Sequence, residues 1–294
     1  MERENLLEPH AINKFEKITS LRKQVKLKTH FQATHNICSK AHWKTGVPHI
    51  DRHLPTYGLS QRAVHEIQPL KPSHLAGATG FMLGLLAQLN TSGQNIWCQS
   101  SDYIREYAHP YWPGLERYGL CHSQLIFARI SKGKHLPFAL EEALKTKGIV
   151  AVIGEGARPD FTGSRRLSFL TQKQGIPCLL LSAGKDNPLG SAAHTRWYVQ
   201  NIKGPENQED ATGPGHPAWH VNLARARGGR PSPALPSDFE TADKSNDSKN
   251  KTNPWRIIWN EQTHSFHSFS ISGRRTVPEN GRTAKSGEPK TMVG

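Results

Sequence analysis

The chain has no CxxC pair, no apolar run of membrane-spanning length and no intact phosphate-loop lysine motif. Each absence removes a class of protein. Cys38, Cys98, Cys121 and Cys178 lie far apart in 294 residues. Zinc ribbons need closely spaced cysteine pairs, so none is expected. Cys98 and Cys178 fall in apolar runs, as small buried side chains do. The longest apolar stretch, 81–89, is interrupted by Gly84 and Gln88. It falls far short of the ~20 residues that cross a bilayer. The N-terminus is polar and carries no signal-peptide pattern, so a cytoplasmic protein with reduced thiols and no membrane partner is expected. No Ser/His/Asp or Cys/His set can be assembled at a specific spacing. Sixteen histidines raise the question of metal. His30, His35, Cys38 and His42, and the pair His264 and His267, match no zinc pattern, so no metal site is expected.

The missing lysine is the most telling absence. Residues 63–67 read as a strand, 68–79 as a glycine-containing loop and 80–89 as an apolar helix. In a working phosphate loop, backbone N–H groups cradle the phosphates, lysine neutralises them and Ser/Thr holds magnesium. Gly77, Ala78 and Thr79 stand where Gly-Lys-Ser/Thr is expected. A second nucleotide element would be a carboxylate ending a buried strand. The strand 149–153 instead runs into Gly154, with Glu155 next. Glu155 is expected as an exposed loop carboxylate or an arginine partner. The scaffold is there without its chemistry, so no cofactor and no catalytic step are expected.

What is abundant is positive charge. Lysine and arginine number 38 against 24 acids, for a net charge of +14 and a pI near 9.8. That balance favours nucleic acid or acidic protein partners. Hydrophobic residues make up 35% and mean hydropathy is −0.62, so a core coexists with much polar chain.

Residues 1–44 read as a basic polar extension, in which 14–28 has apolar residues at helical spacing. From 45 to about 202, strands at 64–67, 95–99, 125–130, 149–153 and 177–181 alternate with helices at 137–147 and 164–174. Such alternation predicts an α/β fold with a mostly parallel sheet flanked by helices. Runs at 195–202, 219–226, 255–259 and 265–271 follow one another without helices, predicting an antiparallel extension of the sheet. The insertion at 230–254 and the tail at 272–294 are polar, Gly/Pro/Ser-rich and expected to be disordered.

Several segments together resemble the ImuA family of bacterial DNA-damage-induced mutagenesis. They are Thr45-Gly-Val-Pro-His-Ile-Asp51, Arg62-Ala-Val-His-Glu-Ile67, Asn95-Ile-Trp-Cys98, Pro113-Gly-Leu-Glu-Arg-Tyr-Gly-Leu120, Asp160-Phe-Thr-Gly-Ser-Arg-Arg-Leu167, Thr195-Arg-Trp197 and Leu223-Ala-Arg-Ala-Arg-Gly-Gly229. The resemblance covers roughly 45–270, and order and spacing carry it more than any one motif. It implies a RecA-like core and a non-catalytic role in SOS-induced, error-prone translesion synthesis. The implied partners are the RecA filament, an inactive Y-family polymerase homologue called ImuB and an error-prone replicative-type polymerase; the +14 charge separately favours single-stranded DNA. A SulA-type cell-division inhibitor and a cryptic nucleotide-binding ATPase remain as alternatives.

Five arginines are candidate contacts. Arg165 and Arg166 fall in the first turn expected for the helix 164–174, where cations oppose the helix dipole. Either Asp160 or Glu155 pairs with them, or a partner does. Arg225, Arg227 and Arg230 lie at a strand end, where Arg225 and Arg227 would share a face. They form either a basic ridge for a nucleic-acid backbone or a solvated strand. Tyr111 and Trp112, bracketed by prolines, are the aromatics expected to be exposed. His65 is expected to be a hydrogen-bonded core histidine.

Overall fold

Residues 42–89, 93–182, 190–205, 215–232 and 254–269 are described in a computed structural model of the chain. The helix expected at 14–28, the interior of the insertion, the tail, and His30, His35 and Cys38 lie outside them.

Six strands line up in parallel, and four of them, at 64–69, 94–100, 149–155 and 178–181, are buried on both faces. The six are β3 (Val64–Pro69), β4 (Gln94–Ser100), β5 (Leu125–Ile130), β6 (Ile149–Glu155), β7 (Cys178–Leu181) and β8 (Thr195–Ile202). Three antiparallel strands follow: β9 (Ala218–Ala226), β10 (Trp255–Asn260) and β11 (Ser265–Ser268). The nine-stranded order is β11-β10-β9-β8-β3-β7-β6-β4-β5. The protein is therefore α/β with a mostly parallel sheet and an antiparallel C-terminal run. A separate ribbon pairs β1 (His42–Trp43) with β2 (Leu59–Ser60), separated by the short helix α1 (Pro48–Asp51).

The pleat sends successive residues to opposite faces. Trp97, Ala151, Ile153, Leu179 and Leu181 join one apolar layer. Their neighbours Ile96, Cys98, Val152, Cys178 and Leu180 join the other. Helix α2 (Leu75–Gln88) fills the first layer, whereas α5 (Leu136–Leu144) and α6 (Phe161–Gln174) cover the second. Two short helices, α3 (Ser101–Tyr107) and α4 (Trp112–Glu116), were not legible in the sequence. The first starts directly on β4, capped by the Ser100 hydroxyl accepting from Tyr103 N at 3.2 Å. Helix α6 begins at Phe161, three residues earlier than expected, because the Asp160 carboxylate accepts from Gly163 N at 2.7 Å. It ends at Gly175, in the left-handed conformation at φ 75°.

Helix α2 begins at Leu75, well before the expected 80, and it is buried on more than one face. Leu75, Leu83, Gly80 and Gly84 are enclosed as well as the expected Phe81, Met82, Leu85 and Leu86. Gly77, Gly80 and Gly84 form one stripe along it. A Cβ on Gly77 would lie 2.7 Å from Asn201 Cβ; one on Gly80 would strike the Tyr118 hydroxyl; one on Gly84 would enter the Phe266 ring. The stripe lets strands β9 and β11 lay Trp219 and Phe266 directly on the helix backbone. Opposite the sheet's antiparallel end, Trp43 Nε1 donates to Leu85 O at 3.0 Å and fastens the ribbon to the same helix.

Alanine favours a helix over glycine by about 1 kcal/mol, but overpacking a filled core costs about 1–3 kcal/mol. Gly84→Ala is thus expected to lower the melting temperature despite its better propensity. Phe266→Leu in the same chain should recover part of the loss. An alanine variant as stable as the parent would show that the Phe266 ring yields without cost.

Candidate functional site

The mouth between β3 and α2 is where a phosphate would sit. A 3₁₀ turn, Pro72–His74, leads directly into α2 at Leu75. Gly77, Ala78 and Thr79 therefore lie inside the helix, beyond its open N-terminus, and the expected alignment shifts by three residues. Leu75 and Ala76 occupy the first positions of the helix, where lysine and Ser/Thr would be needed. The Leu75 side chain is buried. Thr79 Oγ1 donates to Leu75 O at 3.0 Å, so its hydroxyl is spent within the helix. His74, at the N-cap position, makes no capping bond. Its Nδ1 instead pairs with Asn201 Oδ1 at the end of β8.

The second element is altered by packing. A side chain at Gly154 would meet Leu140 Cδ1 at 2.8 Å and Leu180 Cδ2 at 3.0 Å. An aspartate there would have to displace these leucine methyls. Glu155 is neither an exposed loop carboxylate nor an arginine partner, which corrects the sequence expectation. It ends β6 as a buried side chain. Its Oε2 accepts from Trp97 Nε1 at 2.8 Å and from Gln99 Nε2 at 2.6 Å. The other end of the Gln99 amide, Oε1, faces His109 Nδ1 at 2.7 Å. A His109 N–H donating to it completes a line from His109 through Gln99 to Glu155. Burial pushes the Glu155 carboxyl up to about 7, against the pull of the hydrogen bonds from Trp97 and Gln99. Burial, with Arg129 nearby, holds His109 below its ordinary value. Donors, rather than a second carboxylate, surround Glu155. Among the described residues no cluster of three metal-ligating side chains occurs.

The arginines separate. With α6 starting at Phe161, Arg165 and Arg166 lie in its second turn, where the opposing dipole has faded. Arg166 Nη2 reaches Glu141 Oε2 on α5 at 2.6 Å, so its partner is neither Asp160 nor Glu155. The Arg165 guanidinium lies over the Phe161 ring, 5.8 Å from its centre. On β9, a bulge sets Arg225 opposite Arg196 and breaks the alternation. Arg225 Nη1 donates to Ser191 O. Ser191 Oγ in turn donates to Glu66 Oε1 at 2.5 Å, and Arg196 Nε to Glu66 Oε2 at 2.7 Å. Arg225 is thus half-buried beside an internal ion pair, while Arg227 and Arg230 are exposed beyond the strand.

His65 is fully buried, with Nδ1 2.7 Å from Thr195 Oγ1 and Nε2 2.8 Å from Ser60 O. Burial lowers its pKa to about 4. Tyr111 is exposed, but Trp112 is half-buried and donates to Glu116 Oε1 at 2.7 Å. Trp97, Trp197, Trp219 and Trp259 all sit on strands within the core.

No family profile matches the sequence. Two curated relatives do: Protein ImuA from Caulobacter vibrioides strain NA1000 / CB15N and Protein ImuA from strain ATCC 19089 / CIP 103742 / CB 15. Each is 31% identical over 200 residues, spanning 63% of this chain and 79% of the relative. The chain belongs to the ImuA family. In this ImuA-family chain the residues that sequence reasoning missed are Trp97 and Gln99, which bond Glu155, Tyr103 near it, and His109 on the far side of Gln99. A faint signal existed. Trp97 and Gln99 alternate along β4, which pairs in parallel with β6, and Gln99 lies opposite Glu155.

Glu155 makes a testable pH signature. The folded chain keeps this proton up to about pH 7, whereas the ordinary carboxyl value is 4.5. Its contribution to stability is complete below pH 4.5 and is lost as pH rises to 7, by on the order of 2–3 kcal/mol. Glu155→Gln cannot ionise. Urea unfolding across this range should show the variant gaining on the parent by that amount as pH rises. A difference independent of pH would remove the raised carboxyl.

Proposed function

We propose that the protein is a non-catalytic, RecA-like adaptor of DNA-damage-induced mutagenesis. It brings an ImuB-type polymerase homologue and an error-prone replicative-type polymerase to RecA filaments on damaged DNA. Membership of the ImuA family supports the biological setting. The observation that carries the adaptor reading is the closed phosphate mouth. Leu75 occupies the lysine position, His74 and Asn201 bond across the entrance, and Gly154, packed under Leu140 and Leu180, stands in place of a metal-holding aspartate. A site altered at both nucleotide elements supports work by binding rather than turnover. None of the described helices is long and apolar enough to cross a membrane.

Direct contact with single-stranded DNA, under this reading, falls to Arg227 and Arg230, because Arg225 is tied to Ser191 and the Glu66 pair. Phosphate contacts on single strands contribute about −0.7 each to the slope of log K against log salt.

Purified protein is expected to hydrolyse no ATP above background and to give no heat on titration with magnesium-ATP. Pull-down from DNA-damaged cells should recover RecA and the ImuB-type protein. Magnesium-dependent turnover would restore the ATPase alternative. Recovery of the tubulin-like division protein alone would favour the SulA-type alternative. Arg227→Glu with Arg230→Glu should flatten the salt dependence of single-stranded DNA binding by roughly 0.7–1.4.

A further inference from the structure

Helices α5 and α6 cover one face of the sheet, yet they leave a groove between them. Its volume is about 470 Å³, and Leu170 and Thr162 contribute to its lining. Leu170 packs against the apolar layer beneath. Around it stand Phe169, Arg165, Arg166 and Lys145, with the single carboxylate of Glu141. Three cations line the groove with one acid, and Lys145 Nζ is held by Glu142 Oε1 at 2.9 Å beside it. Glu141 is buried and already paired with Arg166, at 2.6 Å.

The outer stripe of α6 repeats at helical spacing. Phe161, Arg165 and Phe169 are four residues apart and share a face. Phe161 is 51% exposed and Phe169 64% exposed. On α5, Phe138 is 40% exposed. The exposed phenylalanines among the described residues thus all lie on these two helices. Unlike tyrosine, phenylalanine has no polar atom to satisfy in water. Exposed rings alternating with guanidinium groups make a surface that is apolar and cationic together.

We infer that the groove between α5 and α6 docks an acidic peptide segment carrying one large apolar side chain. The apolar side chain enters over Leu170 and beside Phe169, and a flanking carboxylate meets Arg165. Charge complementarity selects this occupant: a basic segment, such as residues 14–28 of another copy, would face like charge. A duplex backbone would use the cations and leave the phenylalanines unused, and a single strand, whose bases stack on aromatic rings, is tested against the peptide below. The inference rests on the adaptor reading and names the contact by which a protein partner is held.

The probe is a short fluorescein-labelled peptide rich in Asp and Glu with a central Phe, followed by anisotropy on the full chain. Controls are its Phe→Ala form, a form with Lys replacing every acid, and an oligothymidine strand. The acidic Phe peptide should bind at least about tenfold more tightly than either peptide control, a loss typical of a removed anchor. Phe169→Ala and Arg165→Glu should each weaken it about tenfold while leaving the melting temperature unchanged, since both side chains are at the surface. Absence of binding, or binding that survives both variants, overturns the inference. So does oligothymidine competing as well as the Phe peptide, which would make the groove a nucleic-acid contact. Pull-down with the two variants separates this failure from failure of the adaptor reading. Partner capture that persists in both variants overturns the groove alone, and wild-type protein that captures no partner overturns the adaptor.

Discussion

Gly77, Gly80 and Gly84 allow two strands to rest on the backbone of α2, and the arrangement of the C-terminal half follows from that close approach. Trp219 and Phe266 meet at 5.9 Å between ring centres and flank Phe81 of the helix. Trp259 then stacks on Tyr118, and its Nε1 donates to Arg117 O at 3.1 Å. The antiparallel strands are thereby drawn around a helix that, in a simpler α/β layer, would turn its outer side to water. Apolar residues on both sides of α2 have the same cause. A wider side chain anywhere on the glycine stripe would separate the two halves of the sheet.

The same tight packing bears on the mouth between β3 and α2 and on the end of β6. Gly154 is pressed by Leu140 and Leu180, and Leu75 is buried where a lysine would have to be extended. These positions have been absorbed into apolar layers. Glu155 is retained as a carboxylate, but indole and amide donors from β4 enclose it instead of a metal ion. Polar groups at the carboxyl ends of the parallel strands have become supports for one another.

Much of this fold was legible because its strands are short, apolar and separated by recognisable breaks. The 125–130 and 195–202 runs match β5 and β8 to the residue. Helix starts were harder. Asp160 and Gly163 define the start of α6 by a side-chain bond, whereas α2 begins at Leu75 without a side-chain cap. The apolar pattern alone suggested a later start in both cases. Short helices such as α3 and α4 have too few turns to show periodicity. At the site, the missing lysine could be read directly, but not what fills its place, because His74 and Asn201 are 127 residues apart. The fate of Arg225 was equally hidden. Its bulge and its route through Ser191 to Glu66 depend on cross-strand register, which no local pattern encodes.

Strand β3 lies between β7 and β8, with Val64 beside Cys178 and His65 beside Thr195. Both neighbours are parallel, and both are made more than a hundred residues later. A ribosome adding ~5–20 residues per second leaves β3 without a sheet partner for on the order of ten seconds. Throughout that interval α2, with Phe81, Met82, Leu83, Leu85 and Leu86, has no floor to lie on. The nascent chain must carry its most apolar segment uncovered until nearly the whole parallel sheet exists. Production of this protein is therefore governed by holdase supply and translation speed as much as by the stability of the finished fold.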